Sequence, residues 1–264
     1  MTALGFNIWE GIFPDFAAAP AADAVLGGGE GAFEGEEWLG KMAARGEASL
    51  AALRSGGSIP TAALSREYPL AVVAGLTPVG DGPLRIVDFG GGLANSYAGV
   101  RAALVTGRAL EFHCVENTSV CELGRRVFAD VADLFFHDDL DEVPVRADIV
   151  HAGSALQYIE DWRGMLARLL RFGPRYLVLS DLPAGDIPTF ASVQVYYQRR
   201  MRHWFWNLGE VLDVLKGLGC EVVFRSRYEG VYLGKPGPYP MDNFPPECRL
   251  GFSSNIVATY ASSS

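Results

Sequence analysis

Three consecutive glycines follow an acidic residue in the segment 86–100, which reads IVDFGGGLANSYAGV. Glycine packs nothing and loses more conformational entropy on folding than other residues. An apolar run precedes Asp88, and small residues typical of a first helical turn follow the glycines. A strand, a glycine turn and a helix in that order bring backbone N–H groups close to a ligand. We therefore expect Gly90, Gly91 and Gly92 to form a turn that a ligand passes too closely for side chains.

Acidic residues also follow the next two apolar runs of the chain. Glu116 ends LEFHCVE, and the pair Asp138 and Asp139 follows LFFH. Because the carboxyl ends of parallel strands meet at one edge of a sheet, these acids should lie near the glycine turn. A carboxylate after the second strand can accept from ribose hydroxyls, and one after the third from an adenine amino group. Each acid alone also fits a solvated helix start or an ordinary turn, so the inference depends on their order.

Two ligands fit a glycine turn of this kind, a dinucleotide and S-adenosylmethionine. The dinucleotide fingerprint requires a third glycine three residues after the second, where this chain has Asn95. The carboxylate of Asp88 would repel a pyrophosphate, but it suits a sulfonium cation and its ammonium group. These features favour S-adenosylmethionine, and a dinucleotide-dependent oxidoreductase stays the alternative.

The elements that must position these residues alternate along the chain from residue 84. Short apolar runs alternate with helical patterns, which predicts an α/β fold with a mostly parallel sheet and helices on both faces. Residues 36–54 and 61–76 are predicted helices that cover one side of it. We divide the chain into an N-terminal segment with helical cover, residues 1–80, and a core, residues 81–264.

Composition excludes several classes of function. The chain has 264 residues and a net charge of -9, which makes nucleic acid an unexpected partner. Its four cysteines match no zinc pattern and fit a reducing cytoplasm, and the four histidines share no metal-ligand spacing. No signal peptide, membrane span, G-x-S-x-G elbow or phosphate-binding P-loop motif is present. We expect a cytoplasmic protein without a metal site.

The segments IVDFGGGLANSY, FHCVE, FFHDDL and ADIVHAGSALQYIEDW together resemble class I S-adenosylmethionine-dependent methyltransferases. More narrowly, they are similar to a family of bacterial methyltransferases marked by a D-F-G-G turn and an LQYI segment, often encoded in surface-polysaccharide or natural-product gene clusters. The resemblance covers roughly residues 84–228. It implies a Rossmann-like seven-stranded sheet ending in an antiparallel strand, SNIVATY. The cofactor-binding residues that we predict are Asp88, Gly90, Gly91, Gly92, Asn95, Glu116, Asn117, Asp138, Asp139 and Ser154.

An insertion after the fifth strand, residues 182–207, carries many aromatic residues. Long connections in compact domains are usually functional, so this one is expected to form a lid and acceptor pocket or else a satellite core. The aromatic residues near the N-terminus are too apolar to stay in water, and we expect them to cover the sheet edge or the acceptor pocket, or to join a second subunit. They are Phe6, Trp9, Phe13 and Phe16.

The sequence therefore predicts an enzyme that methylates an oxygen or nitrogen of a small metabolite, such as a natural product or a sugar-like acceptor. The candidates for a proton acceptor are His203, then His151, with Tyr158 and Asp181 as further strand-end groups, and a pKa near 7 favours histidine. A non-catalytic cofactor-binding scaffold of the same fold stays a rival. Whether the protein forms a homodimer is left open.

Overall fold

The computed structural model of the chain describes residues 7–20, 33, 35–56, 66, 68–144, 146–196, 199–232 and 234–261. The strands are β1 (Trp9–Phe13), β2 (Leu84–Phe89), β3 (Leu110–Val115), β4 (Leu134–His137), β5 (Ile149–Gly153), β6 (Tyr176–Leu182), β7 (Ala184–Gly185), β8 (Phe190–Tyr196), β9 (Arg199–Asn207), β10 (Cys220–Tyr228), β11 (Val231–Tyr232), β12 (Lys235–Pro236) and β13 (Ser253–Tyr260). The helices are α1 (Glu36–Arg54), α2 (Tyr68–Leu76), α3 (Tyr97–Ala103), α4 (Thr118–Val127), α5 (Trp162–Leu170) and α6 (Leu208–Gly217).

Seven of the strands form the main sheet, in the order β10-β13-β6-β5-β2-β3-β4. The pairs from β6 to β4 are parallel, whereas β13 runs antiparallel to both of its neighbours. The predicted Rossmann-like fold, a mostly parallel seven-stranded sheet with helices, is confirmed. Of the predicted helix 61–76 the structure describes α2, and residues 61–65 and 67 lie outside the described residues.

Side chains alternate between two hydrophobic cores, one on each face of the sheet. Val87 and Leu177 pack with helices α5 and α6, whereas Ile86 and Val178 pack with helices α1 to α4. This alternation follows from the two-residue period of a strand. Among the described residues, no helix is both long and apolar enough to cross a membrane.

A second sheet of four strands, in the order β1-β8-β9-β7, stands beside the main one. Strands β7, β8 and β9 all belong to the predicted insertion, and β1 pairs antiparallel with β8. Trp9 and Phe16 are buried, so the N-terminal aromatic residues pack against the insertion as one of the expectations had it. Phe6 and Tyr197 lie outside the described residues.

The docking of the N-terminal segment predicts unequal effects of two substitutions within it. Phe16 is 4 % exposed and its ring stacks on Trp204 with 4.9 Å between centroids, whereas Ile12 is 42 % exposed. We expect Phe16→Ala to lower the free energy of unfolding by about 3–5 kcal/mol. Ile12→Ala should stay within about 0.5 kcal/mol of the parent protein. Urea denaturation measures both, and equal losses would contradict the packing of this segment.

Candidate functional site

A cavity of about 710 Å³ lies at the carboxyl ends of β2, β3 and β5. Ligands of open α/β sheets bind at this edge, and the volume lies within the range of roughly 300–1,000 Å³ for small-molecule sites. The glycine turn Gly90–Gly92 borders one end of the cavity, and Trp9 and His203 of the four-stranded sheet border the other. The turn and the insertion, which the sequence singled out separately, therefore meet in one site.

Asp88 ends the buried part of β2 and is only 1 % exposed. Its Oδ1 accepts a hydrogen bond from Nδ1 of His151 at 2.7 Å, and its Oδ2 accepts from the hydroxyl of Ser96. On the far side of the ring, Nε2 of His151 lies 3.1 Å from the hydroxyl oxygen of Ser180. A buried carboxylate needs such partners, and this chain of hydrogen bonds joins the carboxyl ends of β2, β5 and β6.

This network bears on two of the predicted residues. Both carboxylate oxygens of Asp88 accept hydrogen bonds from the protein, so Asp88 supports the turn from within, and it also lines the cavity. Both ring nitrogens of His151 are likewise engaged, which makes it a positioning residue and not a free proton acceptor.

The order Ser180, His151 and Asp88 has the geometry of a serine hydrolase triad. A nucleophile must reach its substrate, yet Ser180 is 1 % exposed and is not part of the cavity wall. The arrangement is therefore structural, in agreement with the absence of a G-x-S-x-G elbow.

The glycine turn is also required by the protein atoms that surround it. Gly90 and Gly92 adopt φ of +67° and +59°, a region that side chains disfavour. A Cβ at Gly90 would overlap Cβ of Ala155, and one at Gly91 would lie 2.6 Å from Oδ2 of Asp88. Protein atoms, and not only a passing ligand, thus exclude side chains here, so Gly90→Val would disrupt the turn itself.

Glu116 lies where the sequence placed it, on the cavity wall beside the turn. Its Oε1 accepts from the backbone N–H of Gly92 at 3.1 Å, and its Oε2 accepts from that of Asn117 at 3.0 Å. Burial raises the pKa of Glu116, and these two hydrogen bonds oppose the rise. Nδ2 of Asn117 also donates to Oε2 at 3.2 Å, and because a carboxylate offers about four acceptor positions, Glu116 keeps capacity for one hydroxyl donor of a ligand.

Three further predicted residues also line the cavity. Oδ1 of Asn95 is buried and has no hydrogen-bond partner among the described residues. The side chain of Asn117 caps helix α4 by accepting from the N–H of Val120. Ser154 adopts φ of +54° and its hydroxyl accepts from Nε2 of Gln157.

Asp138 and Asp139 are not brought to this site. Both are exposed and neither is part of the cavity wall. Oδ1 of Asp139 instead accepts from the N–H of Asp141 and lies 4.0 Å from a nitrogen of Arg168. Their strand, β4, is the edge strand of the sheet, one position further from the turn than β3.

The other end of the cavity is lined by a continuous series of rings, here called the ring wall. Tyr158 lies 5.5 Å from His203, which lies 5.8 Å from Trp9, with all distances between ring centroids. The hydroxyl of Tyr158 donates to Oε1 of Gln194 at 2.8 Å. The full ring wall consists of Phe33, Trp38, Tyr158, His203, Trp9, Tyr232 and Tyr239.

Sequence reasoning missed four members of the ring wall, Phe33, Trp38, Tyr232 and Tyr239. They come from three separate stretches of chain and share no spacing. Only their aromatic character marked them, and that character is equally typical of an ordinary core.

His203 does not have the pKa predicted for a catalytic base. It is 2 % exposed, and its Nδ1 has no partner among the described residues. Burial lowers the pKa of His203 to about 3, so the ring is neutral throughout the physiological range.

The lowered pKa of His203 also predicts how stability depends on pH. Between pH 6.5 and about 3 the unfolded chain binds a proton at this ring and the folded chain does not, so stability falls as the pH falls. From pH 7.5 to pH 5 this group should remove about 2 kcal/mol from the free energy of unfolding. The variant His203→Phe should not show this pH-dependent loss in the free energy of unfolding. The control variant Phe205→Leu, whose side chain packs against His203, should still show it. Urea denaturation at both pH values is the measurement, and an unchanged fall in His203→Phe would refute this assignment.

Several solved methyltransferases share this fold. A methyltransferase in complex with the Trm112 activator of Haloferax volcanii aligns with a TM-score of 0.52 and 14% identity, over 86% of this chain and 96% of that one. The 1,6-didemethyltoxoflavin-N1-methyltransferase of Burkholderia thailandensis, solved with S-adenosylhomocysteine, aligns with a TM-score of 0.50 and 15% identity. The alignment covers 92% of this chain and 99% of that one. An S-adenosylmethionine-dependent methyltransferase from Listeria monocytogenes aligns with a TM-score of 0.51 and 11% identity, over 77% of this chain and 100% of that one. No protein-family model and no curated protein matches the sequence. The likeness establishes the class I methyltransferase fold for this chain.

Proposed function

We propose that the protein transfers a methyl group from S-adenosylmethionine to an oxygen or nitrogen of a small metabolite, such as a natural product or a sugar-like molecule. The observation that carries the proposal is the glycine turn hydrogen-bonded to Glu116 in a cavity at the carboxyl edge of the sheet. The fold shared with methyltransferases supports it.

The residues present fit the cofactor. Oδ1 of Asn95 is a buried acceptor without a partner among the described residues, and Glu116 has an acceptor position left for a ribose hydroxyl. Asn95, Ser154 and the glycine turn would hold the amino-acid end, with Asn117 beside the ribose. When bound, S-adenosylmethionine supplies a methyl group activated by the positive sulfur.

The remaining residues align the acceptor and exclude water. Bringing two reactants into contact in the correct orientation contributes much of the rate in such a reaction. The network of Asp88 and His151 fixes the turn, and the ring wall shields the acceptor from solvent.

A dinucleotide-dependent oxidoreductase is the enzymatic alternative. The usual dinucleotide-binding sheet has the order 3-2-1-4-5-6. Here antiparallel β13 separates β6 from β10, and Asn95 stands at the third glycine position. Both features favour the methyltransferase.

We further propose that the enzyme is bacterial, biosynthetic and cytoplasmic. The D-F-G-G and L-Q-Y-I segments support the first two assignments through their resemblance to the bacterial family. All four cysteines are buried and free, which suits a reducing compartment.

Calorimetric titration with S-adenosylmethionine, S-adenosylhomocysteine and NADPH tests the proposal. We expect the first two to bind and NADPH to bind weakly or not at all. Glu116→Ala should weaken S-adenosylmethionine binding at least about tenfold, because each hydrogen bond to a charged group contributes about 1.5–3 kcal/mol. Tight NADPH binding without a response to the other two ligands would exclude the methyltransferase.

Asp138→Ala provides the matched control, since this acid lies outside the cavity wall. Its affinity for S-adenosylmethionine should equal that of the parent protein. Urea denaturation of both variants separates lost binding from lost folding. A loss in Asp138→Ala as large as that in Glu116→Ala would restore Asp138 to the adenine site.

A further inference from the structure

The ring wall covers the acceptor end of the cavity with flat, apolar surface. Neighbouring rings meet at centroid distances between 4.9 and 5.8 Å, so the wall is continuous from Trp38 to Tyr239. It is assembled from Phe33, Tyr158, Tyr232, Tyr239 and side chains of α1, β1 and β9. Ring faces and edges of this kind favour offset-stacked or edge-to-face contact with another aromatic ring.

Several polar groups in this part of the described wall already pair with one another, while Nε1 of Trp9 and Nδ1 of His203 are buried without a hydrogen-bond partner among the described residues. Oδ2 of Asp181 lies 2.9 Å from Nε of Arg66, and its Oδ1 accepts from the hydroxyl of Ser253. The rings of Tyr232 and Tyr239 pack against each other with 4.9 Å between centroids. A polyol would bring many hydroxyl groups here, and each hydroxyl left without a partner costs free energy. The wall therefore suits an aromatic molecule better than a sugar.

The same residues are poorly suited to remove a proton. His203 is neutral and lies inside the aromatic cluster, where burial disfavours its charged form. The hydroxyl of Tyr158 donates a hydrogen bond to Gln194. Both ring nitrogens of His151 already have hydrogen-bond partners, Asp88 and Ser180. Burial raises the pKa of Tyr232 and Tyr239, so their hydroxyls stay protonated. An acceptor in this cavity must be nucleophilic without help from these groups.

We propose that the methyl acceptor is a flat aromatic molecule whose reacting atom, an acidic phenol oxygen or a ring nitrogen, needs no protein base at neutral pH. The inference rests on the proposed methyl transfer and names its substrate class. The acceptor's lone pair forms the new bond to the methyl carbon while the carbon–sulfur bond breaks and its electron pair stays on sulfur. An acidic phenol has given its proton to water beforehand, and a pyridine-type ring nitrogen, which carries no hydrogen, has none to lose.

Three probes of different chemistry test this assignment by calorimetric titration, with and without bound S-adenosylhomocysteine. They are 4-nitrophenol, cyclohexanol and methyl glucoside. We expect 4-nitrophenol to bind at least about tenfold more tightly than the other two, since only its ring can stack on the wall. Methyl glucoside binding as tightly as 4-nitrophenol would overturn the proposal.

Substitutions at one ring locate the binding. Tyr158→Leu, which removes the ring, should weaken 4-nitrophenol binding at least about tenfold, whereas Tyr158→Phe, which keeps it, should weaken binding less. Phe252→Leu is the control, since Phe252 is half-exposed and lies outside the cavity wall. Equal affinity in the parent protein and Tyr158→Leu would show that the probe binds elsewhere.

Methylation rates then test the need for a base. At pH 7 and saturating acceptor, 4-nitrophenol should react at least about tenfold faster than phenol, which is hardly ionised at that pH. Equal rates would show that the protein removes the proton. Failure of S-adenosylhomocysteine to bind would refute the proposed methyl transfer, while 4-nitrophenol binding to the unloaded protein would still report on the ring wall.

Discussion

The buried carboxylate of Asp88 is the interaction on which the rest of the site depends. By strand alternation Asp88, His151 and Ser180 lie on the same face of the sheet as the apolar residues Ile86 and Val178. A charge there is tolerable only when both oxygens accept strong hydrogen bonds. Those bonds fix three strand ends relative to one another, and the glycine turn folds over the carboxylate. The position of Glu116 follows, because its carboxylate accepts from the N–H of Gly92 in the same turn.

The fold was predictable because its signals are local. Alternating strands and helices and a run of three glycines are visible within short windows of sequence, and they placed the turn and Glu116 correctly. The hydrogen bond between Asp88 and His151 joins residues 63 positions apart and leaves no such signal. Asp138 lies outside the cavity wall, which its sequence did not show, because an acid after a strand does not reveal how far that strand lies from the turn. The sheet order puts β4 at the edge, beyond the reach of the cavity.

The N-terminal strand β1 shows a second reason why parts of the site could not be predicted from the sequence. Its aromatic residues predicted burial, but the partner of β1 depends on cross-strand register rather than on propensity. Trp9 pairs with Gln194 of β8, and Oε1 of Gln194 accepts from Tyr158. The first described strand of the chain and the insertion thus close the acceptor end together. Neither stretch could have shown this alone, since each looks like a satellite core in isolation.

The two ends of the cavity differ in polarity. The cofactor end is built on parallel strand ends, where backbone groups and one carboxylate meet polar ligand atoms. At the acceptor end, β1, β9 and the segment 231–239 bring rings together and exclude water. The burial that makes this wall apolar also lowers the pKa of His203, because removal from water disfavours the charged imidazolium. A dry aromatic wall and a histidine base are therefore incompatible at this position. The low pKa of His203 and the flat apolar surface at this end of the cavity are two consequences of one packing arrangement.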